Sequence, residues 1–172
     1  MEKDLEFLEY KKGIFLKDEI RHNLRIVKDS ILNFVDQIRK LSRSGKVLVI
    51  TNTIKRVLEL KSLIPEAFVI HGHFIQKHRR EREKEIHSFF ETPDERGIWI
   101  TTQLAEVSLD LDADFLITEL STADSLIQRM GRVNRKGLKD TRNPNVFILT
   151  EDCSGIRECI QEKDTRYNLK LT

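Results

Sequence analysis

The sequence has little from which to build a covalent or metal-bound framework. Its 172 residues hold only two cysteines, Cys153 and Cys159, and five histidines. No C-x-x-C pair or His/Cys cluster accompanies them, which argues against a zinc site. Both cysteines read as reduced thiols of a cytoplasmic protein, since a disulfide across so short a spacing fits a helical segment poorly. Long apolar runs are also missing. A membrane-spanning helix needs about 18 such residues, and no run approaches that length. The N-terminus is charged, so no membrane partner is expected. Charge of one sign is not in excess: 30 Lys and Arg against 28 Asp and Glu leave a formal net charge of +2. That alone is too little to imply a nucleic-acid partner. Internal repeats, low-complexity tracts and linkers are absent as well, so the whole of 1–172 reads as one domain, large enough for a real core.

What is present is a charge-rich sequence, 34% Asp, Glu, Lys and Arg, with its charges segregated. Between Gln103 and Asp124 lie Glu106, Asp110, Asp112, Asp114, Glu119 and Asp124, with no Lys or Arg. Between Ser125 and Arg142 lie Arg129, Arg132, Arg135, Lys136, Lys139 and Arg142 against one acid, Asp140. A second basic stretch, Gln76 to Phe90, carries Lys77, Arg79, Arg80, Arg82 and Lys84. These suit a nucleic-acid contact or, equally, a solvated helix face.

Strand and helix patterns alternate through most of the sequence. Ile20, Leu24, Val27, Ile31, Leu32, Val35, Ile38 and Leu41 keep a helical period and predict one long amphipathic helix over Asp18 to Ser42. Lys46 to Ile50, Ala67 to Ile70, Gly97 to Thr101, Phe115 to Thr118 and Asn145 to Leu149 are short apolar, β-branched runs that read as buried strands. Helices are predicted over Ile54 to Leu63, Gln76 to Phe90 and Ala123 to Met130. Residues 1–17 form an N-terminal extension in which a Lys-Lys-Gly turn suits a hairpin, and 154–172 a C-terminal helix or tail. The fold class is therefore α/β, three-layered, with a mainly parallel sheet covered by helices on both faces.

In such a sheet, ligands bind beyond the carboxyl ends of the strands. Thr51-Asn52-Thr53, His71-Gly72-His73 and Thr101-Thr102-Gln103 follow three of them. Hydroxyls, amides and small residues there suit phosphate oxygens, although Thr and Asn at strand ends also serve as turn formers and N-caps. His71 and His73 lack a third ligand and read as turn histidines. On Ser125 to Arg135, Leu126, Ile127 and Met130 can share an apolar face, Gly131 can take the left-handed conformation that stops a helix, and Arg132 and Arg135 can then aim at one spot. Two guanidiniums so aimed suit a multiply charged anion, while cations near a helix C-terminus also simply favour its dipole.

Thr102-Gln103-Leu104-Ala105-Glu106-Val107-Ser108-Leu109-Asp110 resembles motif V of superfamily 2 helicases, and Gln128-x-x-Gly131-Arg132-x-x-Arg135 resembles their motif VI. Val47 to Thr53 is similar to motif IV. The spelling Glu106-Val107-Ser108-Leu109-Asp110 with Gln128-Arg129-Met130-Gly131-Arg132-Val133-Asn134-Arg135 resembles, more narrowly, the CRISPR-associated helicases of type I interference systems. DEAD-box proteins usually carry His at the position of Gln128, Asp at Gln103 and Gly at Ser108. The resemblance covers roughly Lys46 to Leu149.

It implies the second RecA-like domain of an ATP-dependent DNA helicase. Arg132 and Arg135 would meet the γ-phosphate of ATP, with Arg135 as the arginine finger. Gln128 would help to sense that phosphate, and Asp110 would approach the ribose. Thr53 and Thr102, with His71 and Gly72, would hold single-stranded DNA by its backbone. Glu106 reads equally as a functional acid or a salt-bridge partner, and Arg129 as a residue facing solvent or a structural acid. The G-x-x-x-x-G-K-[ST] phosphate loop and the acidic box that holds Mg2+ are absent. The resemblance assigns them to a first RecA-like domain, supplied upstream or by another subunit, and implies that these 172 residues hydrolyse no ATP alone. A nuclease domain and a CRISPR surveillance complex are the further partners implied. An RNA helicase domain and a non-enzymatic nucleic-acid-binding module of the same fold are the alternatives.

Overall fold

The computed structural model describes residues 21–72, 76–107 and 110–153. The expected hairpin in 1–17, the segment 154–172, His73, Ser108 and Leu109 lie outside the described residues. Six strands form one all-parallel sheet: β1 (Leu24–Ser30), β2 (Lys46–Ile50), β3 (Phe68–Ile70), β4 (Gly97–Thr101), β5 (Phe115–Glu119) and β6 (Val146–Glu151), in the order β1-β6-β5-β2-β4-β3. The helices are α1 (Val35–Ser42), α2 (Ile54–Leu63), α3 (Gln76–Glu91), α4 (Leu104–Val107) and α5 (Ala123–Met130).

Alternation along the strands builds two cores. Val47 and Val49 of β2, Ile98 and Ile100 of β4, Ile117 of β5, and Phe147 and Leu149 of β6 face one side, against Ile38 of α1 and Val57 and Leu60 of α2. Leu48, Ile50, Trp99, Leu116, Val146 and Ile148 face the other, against Ile86 and Phe90 of α3, Ala105 of α4, and Leu126 and Met130 of α5. Residues 46–50 of central β2 are buried throughout. Burying one such aliphatic group gains about 1.5–3 kcal/mol of transfer free energy, so a strand apolar on both faces belongs at the centre.

The long helix expected over Asp18 to Ser42 does not form as such. Within its described part, residues 24–30 are β1, residues 31–34 are a 3-10 turn, and only 35–42 are α-helical. Two causes are visible. β1 finds a parallel partner in β6, with Leu24 opposite Val146 and Val27 opposite Leu149. Asn145 secures that start by accepting the Asn23 N–H at 2.8 Å. Then Asp29 accepts from Ser30 N–H at 2.7 Å and from the Asn33 amide at 2.8 Å, while the Ser30 hydroxyl accepts from Leu32 N–H. Such side-chain bonds to backbone compete with continuous helix and start a new turn instead. The short helix α4 is a further difference, since four residues are too few to show a helical period in the sequence.

Candidate functional site

The strand-end residues occupy one edge of the sheet. Thr51 N–H donates to Thr101 C=O at 3.0 Å, which carries the β2–β4 pairing past the last ladder residues. The Gln103 amide donates to Asn52 C=O at 3.1 Å and joins the two turns. His71 and Gly72 follow β3 on the far side of β4. Thr53 caps α2, its hydroxyl accepting from Arg56 N–H at 3.3 Å. Thr102 is buried, and its C=O accepts from Ala105 N–H at 3.2 Å as α4 begins. A Cβ added at Gly72 would meet nothing within 4 Å among the described residues.

Glu119 sits beneath this edge with almost no exposure. It accepts from Asn52 N–H at 2.6 Å and from Arg56 Nε at 3.2 Å. Burial pushes its carboxyl above the ordinary carboxylate range, against the pull of the Asn52 N–H and of the Arg56 and Arg129 guanidiniums. Arg56 also donates to the Asp152 carboxylate at 2.8 Å beyond β6. Asn52 and Thr53 are thus held from below by a buried polar network.

The arginines are held differently. Helix α5 starts after β5 and runs back, so that Val133 bridges Ala113, two residues before β5 begins. Arg132 and Arg135 are therefore held by the segment that enters β5, whereas Thr53, Thr102, His71 and Gly72 follow the carboxyl ends of their strands. Both arginines reach Asp110: Arg135 pairs with its carboxylate, and Arg132 lies 4.0 Å from it. Arg132 also donates to the Glu106 C=O at 2.6 Å, and its Nε is buried with no hydrogen-bond partner among the described residues. Arg135 is half exposed, and its backbone N–H donates to the Asp112 carboxylate at 2.9 Å. Gln128, four residues before Arg132, is exposed on α5. Two guanidiniums converging on one carboxylate make a spot suited to an anion.

Two expectations are corrected. Gly131 is not left-handed: it has φ −61° and ψ −4° and continues the helical turn. The left-handed residue is Asn134, at φ 45°. Asn134 is buried. Its side-chain oxygen accepts from Lys139 N–H at 2.9 Å, and its amide donates to Arg21 C=O at 3.0 Å. That local bonding suits an Asn to the left-handed region. Ile127 does not share the apolar face of Leu126 and Met130; it is 62% exposed.

The sequence also leaves the place of Arg129 open, and the structure decides it. Among the described residues only Trp99 is a larger side chain so fully buried, and Arg129 pairs with Glu106 at 2.8 Å. The signal available in the sequence is the opposite charge of the segments that carry Glu106 and Arg129.

The all-parallel sheet with a core on each face is a RecA-like fold. The C-terminal domain of the DEAD-box protein Dbp5 superposes with a TM-score of 0.54 at 17% identity, over 84% of either chain. T. fusca Cas3 with AMPPNP superposes at TM-score 0.67 and 21% identity, over 79% of this chain and 19% of that one. The family described as CRISPR-associated nuclease/helicase Cas3, C-terminal, matches residues 43–138. The chain belongs to that family. It is 32% identical over 146 residues to the CRISPR-associated nuclease/helicase Cas3 of Methanothermobacter thermautotrophicus, a match that takes in 76% of this chain and 17% of that protein. It is 38% identical over 84 residues to the endonuclease/helicase Cas3 of Escherichia coli K12, over 47% of this chain and 10% of that protein. The match to the first of these relatives thus spans about a sixth of that protein's length.

Proposed function

We propose that the chain is the second motor domain of an ATP-dependent DNA helicase or translocase acting in CRISPR interference, inactive in hydrolysis without a first RecA-like domain. The observation that carries the reading is the convergence of Arg132 and Arg135 on the Asp110 carboxylate, with one Arg132 donor left over. In this reading ATP, with Mg2+ held by the first domain, supplies the phosphoryl group whose transfer drives movement. Arg135, half exposed, is the arginine finger, and Arg132 binds the same phosphate from a less exposed position. Gln128 senses that phosphate, and Asp110 turns to the ribose once the arginines have an anionic ligand. Thr53, Thr102, His71 and Gly72 hold a single DNA strand along the strand-end edge. The nuclease/helicase name of the Methanothermobacter relative supports the assignment, as does the likeness of fold to a chain of a solved CRISPR RNA-guided surveillance complex. A nuclease domain and a surveillance complex are the partners it implies.

The test is Arg135→Ala in a protein that contains both motor domains. ATP hydrolysis is expected to fall by about 10³–10⁵, the worth of an arginine finger, while nucleotide affinity changes little. Arg135→Lys is expected to rescue poorly, because an ammonium lacks the planar fork. Near-normal turnover in Arg135→Ala would refute the assignment.

A further inference from the structure

Residues 134–139 close into a ring on which Arg135 stands. The Asn134 side-chain oxygen accepts from Lys139 N–H at 2.9 Å, and the Asn134 amide donates to Lys139 C=O at 3.3 Å. Gly137, at φ 68°, returns its N–H to Asn134 C=O at 2.9 Å. These bonds hold the shape of the ring. Its attachment to the rest of the fold comes from the Lys139 ammonium. That group donates to Ala113 C=O at 2.9 Å and to Asp112 C=O at 3.3 Å, and it pairs with the Asp114 carboxylate at 2.9 Å. Asp114 in turn accepts from Lys46 N–H at 2.6 Å, at the start of central β2. The ring is fastened in this way to the segment that enters β5 and, through Asp114, to the middle of the sheet. Lys139 lies one residue beyond the stretch 43–138 that the family matches.

Charge gives the same lysine a second task. The segment before β5 carries Asp110, Asp112 and Asp114 at alternate positions. Arg135 pairs with Asp110 by its side chain and donates to Asp112 by its backbone N–H. Lys139 lies 3.6 Å from the Asp112 carboxylate and 2.9 Å from that of Asp114. Those two acids are 27% and 28% exposed, against 71% for Asp110. With their charge offset by Lys139, the Arg135 guanidinium is drawn to the outer acid, from which it can be exchanged. A compact ammonium with three donors suits two carbonyls and a carboxylate converging from different directions, which a planar fork does not. A cation that stabilises a transition state has to be in place beforehand, because a preorganised charge costs no rearrangement at the moment of reaction. We propose that Lys139 is a positioning residue whose ammonium, by locking the 134–139 ring onto the segment before β5, sets the reach of Arg135 towards the nucleotide phosphate. This rests on the reading of Arg135 given above.

The experiment uses a protein with both motor domains and measures kcat and KM for ATP in the presence of single-stranded DNA. Lys139→Met keeps the stem and removes the ammonium. Its kcat is expected to fall by about 10–10²-fold, the cost of misplacing a catalytic group by about 1 Å. KM is expected to stay within about twofold, the scatter of an independent site. In an Arg135→Ala background the same substitution is expected to lower the residual turnover by less than about twofold, because a residue that acts through Arg135 then has nothing to position. An equal loss with and without Arg135 assigns Lys139 to the fold alone and overturns the proposal. An unchanged kcat in Lys139→Met overturns it as well. Affinity for single-stranded DNA, held at the opposite ends of the strands, reports on folding. If Lys139→Met loses that affinity, Lys139→Arg, which keeps the charge but not the compact donor set, carries the comparison with the same two outcomes. Arg135→Ala alone separates the two readings. Near-normal turnover there refutes the arginine assignment, whereas collapsed turnover there beside an unchanged kcat in Lys139→Met refutes the role of Lys139 alone.

Discussion

Replacing Asn134 by alanine tests the geometry that delivers Arg135. Asn134 is 1% exposed and left-handed, with φ at 45°. Its side-chain amide makes three bonds: from Lys139 N–H at 2.9 Å, to Arg21 C=O at 3.0 Å and to Lys139 C=O at 3.3 Å. Losing them costs roughly 0.5–1.5 kcal/mol each, and a methyl group in the left-handed region adds roughly 1–2 kcal/mol. Asn134→Ala is therefore expected to destabilise the fold by about 3–5 kcal/mol, a fall in Tm of about 6–20 °C at the roughly 2–4 °C per kcal/mol of a protein this long. Asn134→Gly removes the bonds but not the conformational freedom, so it is expected to lose about 1–2 kcal/mol less. Gly131→Ala is the contrast. Gly131 already has helical φ, and a Cβ there would meet Gln128 C=O at 3.3 Å, a contact that a few tenths of an ångström relieve. Its effect is expected within about 1 kcal/mol in either direction. Urea unfolding of the three variants gives the order directly. If Gly131→Ala proves costlier than Asn134→Ala, the left-handed residue has been misplaced and with it the turn that presents Arg135.

Two further outcomes follow from the site. The folded-state pKa of Glu119 is raised by burial, so the folded protein holds that proton more tightly than the unfolded state does. The stability from this group is full below the ordinary carboxylate range and is lost as pH rises through the raised value. Unfolding free energies of the unmodified protein measured against Glu119→Gln are expected to fall in that window, and a flat difference would show that the carboxyl is not desolvated. Single-stranded DNA is expected to bind the domain weakly, with log affinity falling linearly in log salt. Alanine at Arg80, Arg82 and Lys84 of α3 should flatten that slope, and an unchanged slope would remove α3 from the contact surface.

The central strands are legible in the sequence because β2, β4 and β5 are apolar on both faces, and a continuous β-branched run admits few other readings. β1 is not, because its apolar spacing matches a helical period while the cause of its strand form is β6, whose partner residues lie more than a hundred positions on. Local pattern carries no trace of a partner so distant. Gly131 misleads for the opposite reason: a glycine after a helix is a good local signal for a left-handed cap, but the backbone here delays that conformation to Asn134, where Lys139 and Arg21 supply the bonds.

Arg129, Arg132 and Arg135 recur at intervals of three, and the sequence leaves Arg129 between solvent and a structural acid. Their surroundings divide them. The Arg129 side chain is 0% exposed, that of Arg132 19% and that of Arg135 51%. A guanidinium cannot be deprotonated to escape burial, so Arg129 has to place its donors inside the fold, and it does so on Glu106, Thr118, Glu119, Asn52 and Ser121. Arg132 commits one donor to Glu106 C=O and keeps Nε uncommitted among the described residues. Arg135 pairs with Asp110, a carboxylate that is itself largely exposed. Of the three, Arg135 can exchange an internal anion for an external one without unmaking the fold. That ordering, from sealed to exchangeable, supports the proposed transition-state role of Arg135 and sets Arg129 apart as a residue of the interior.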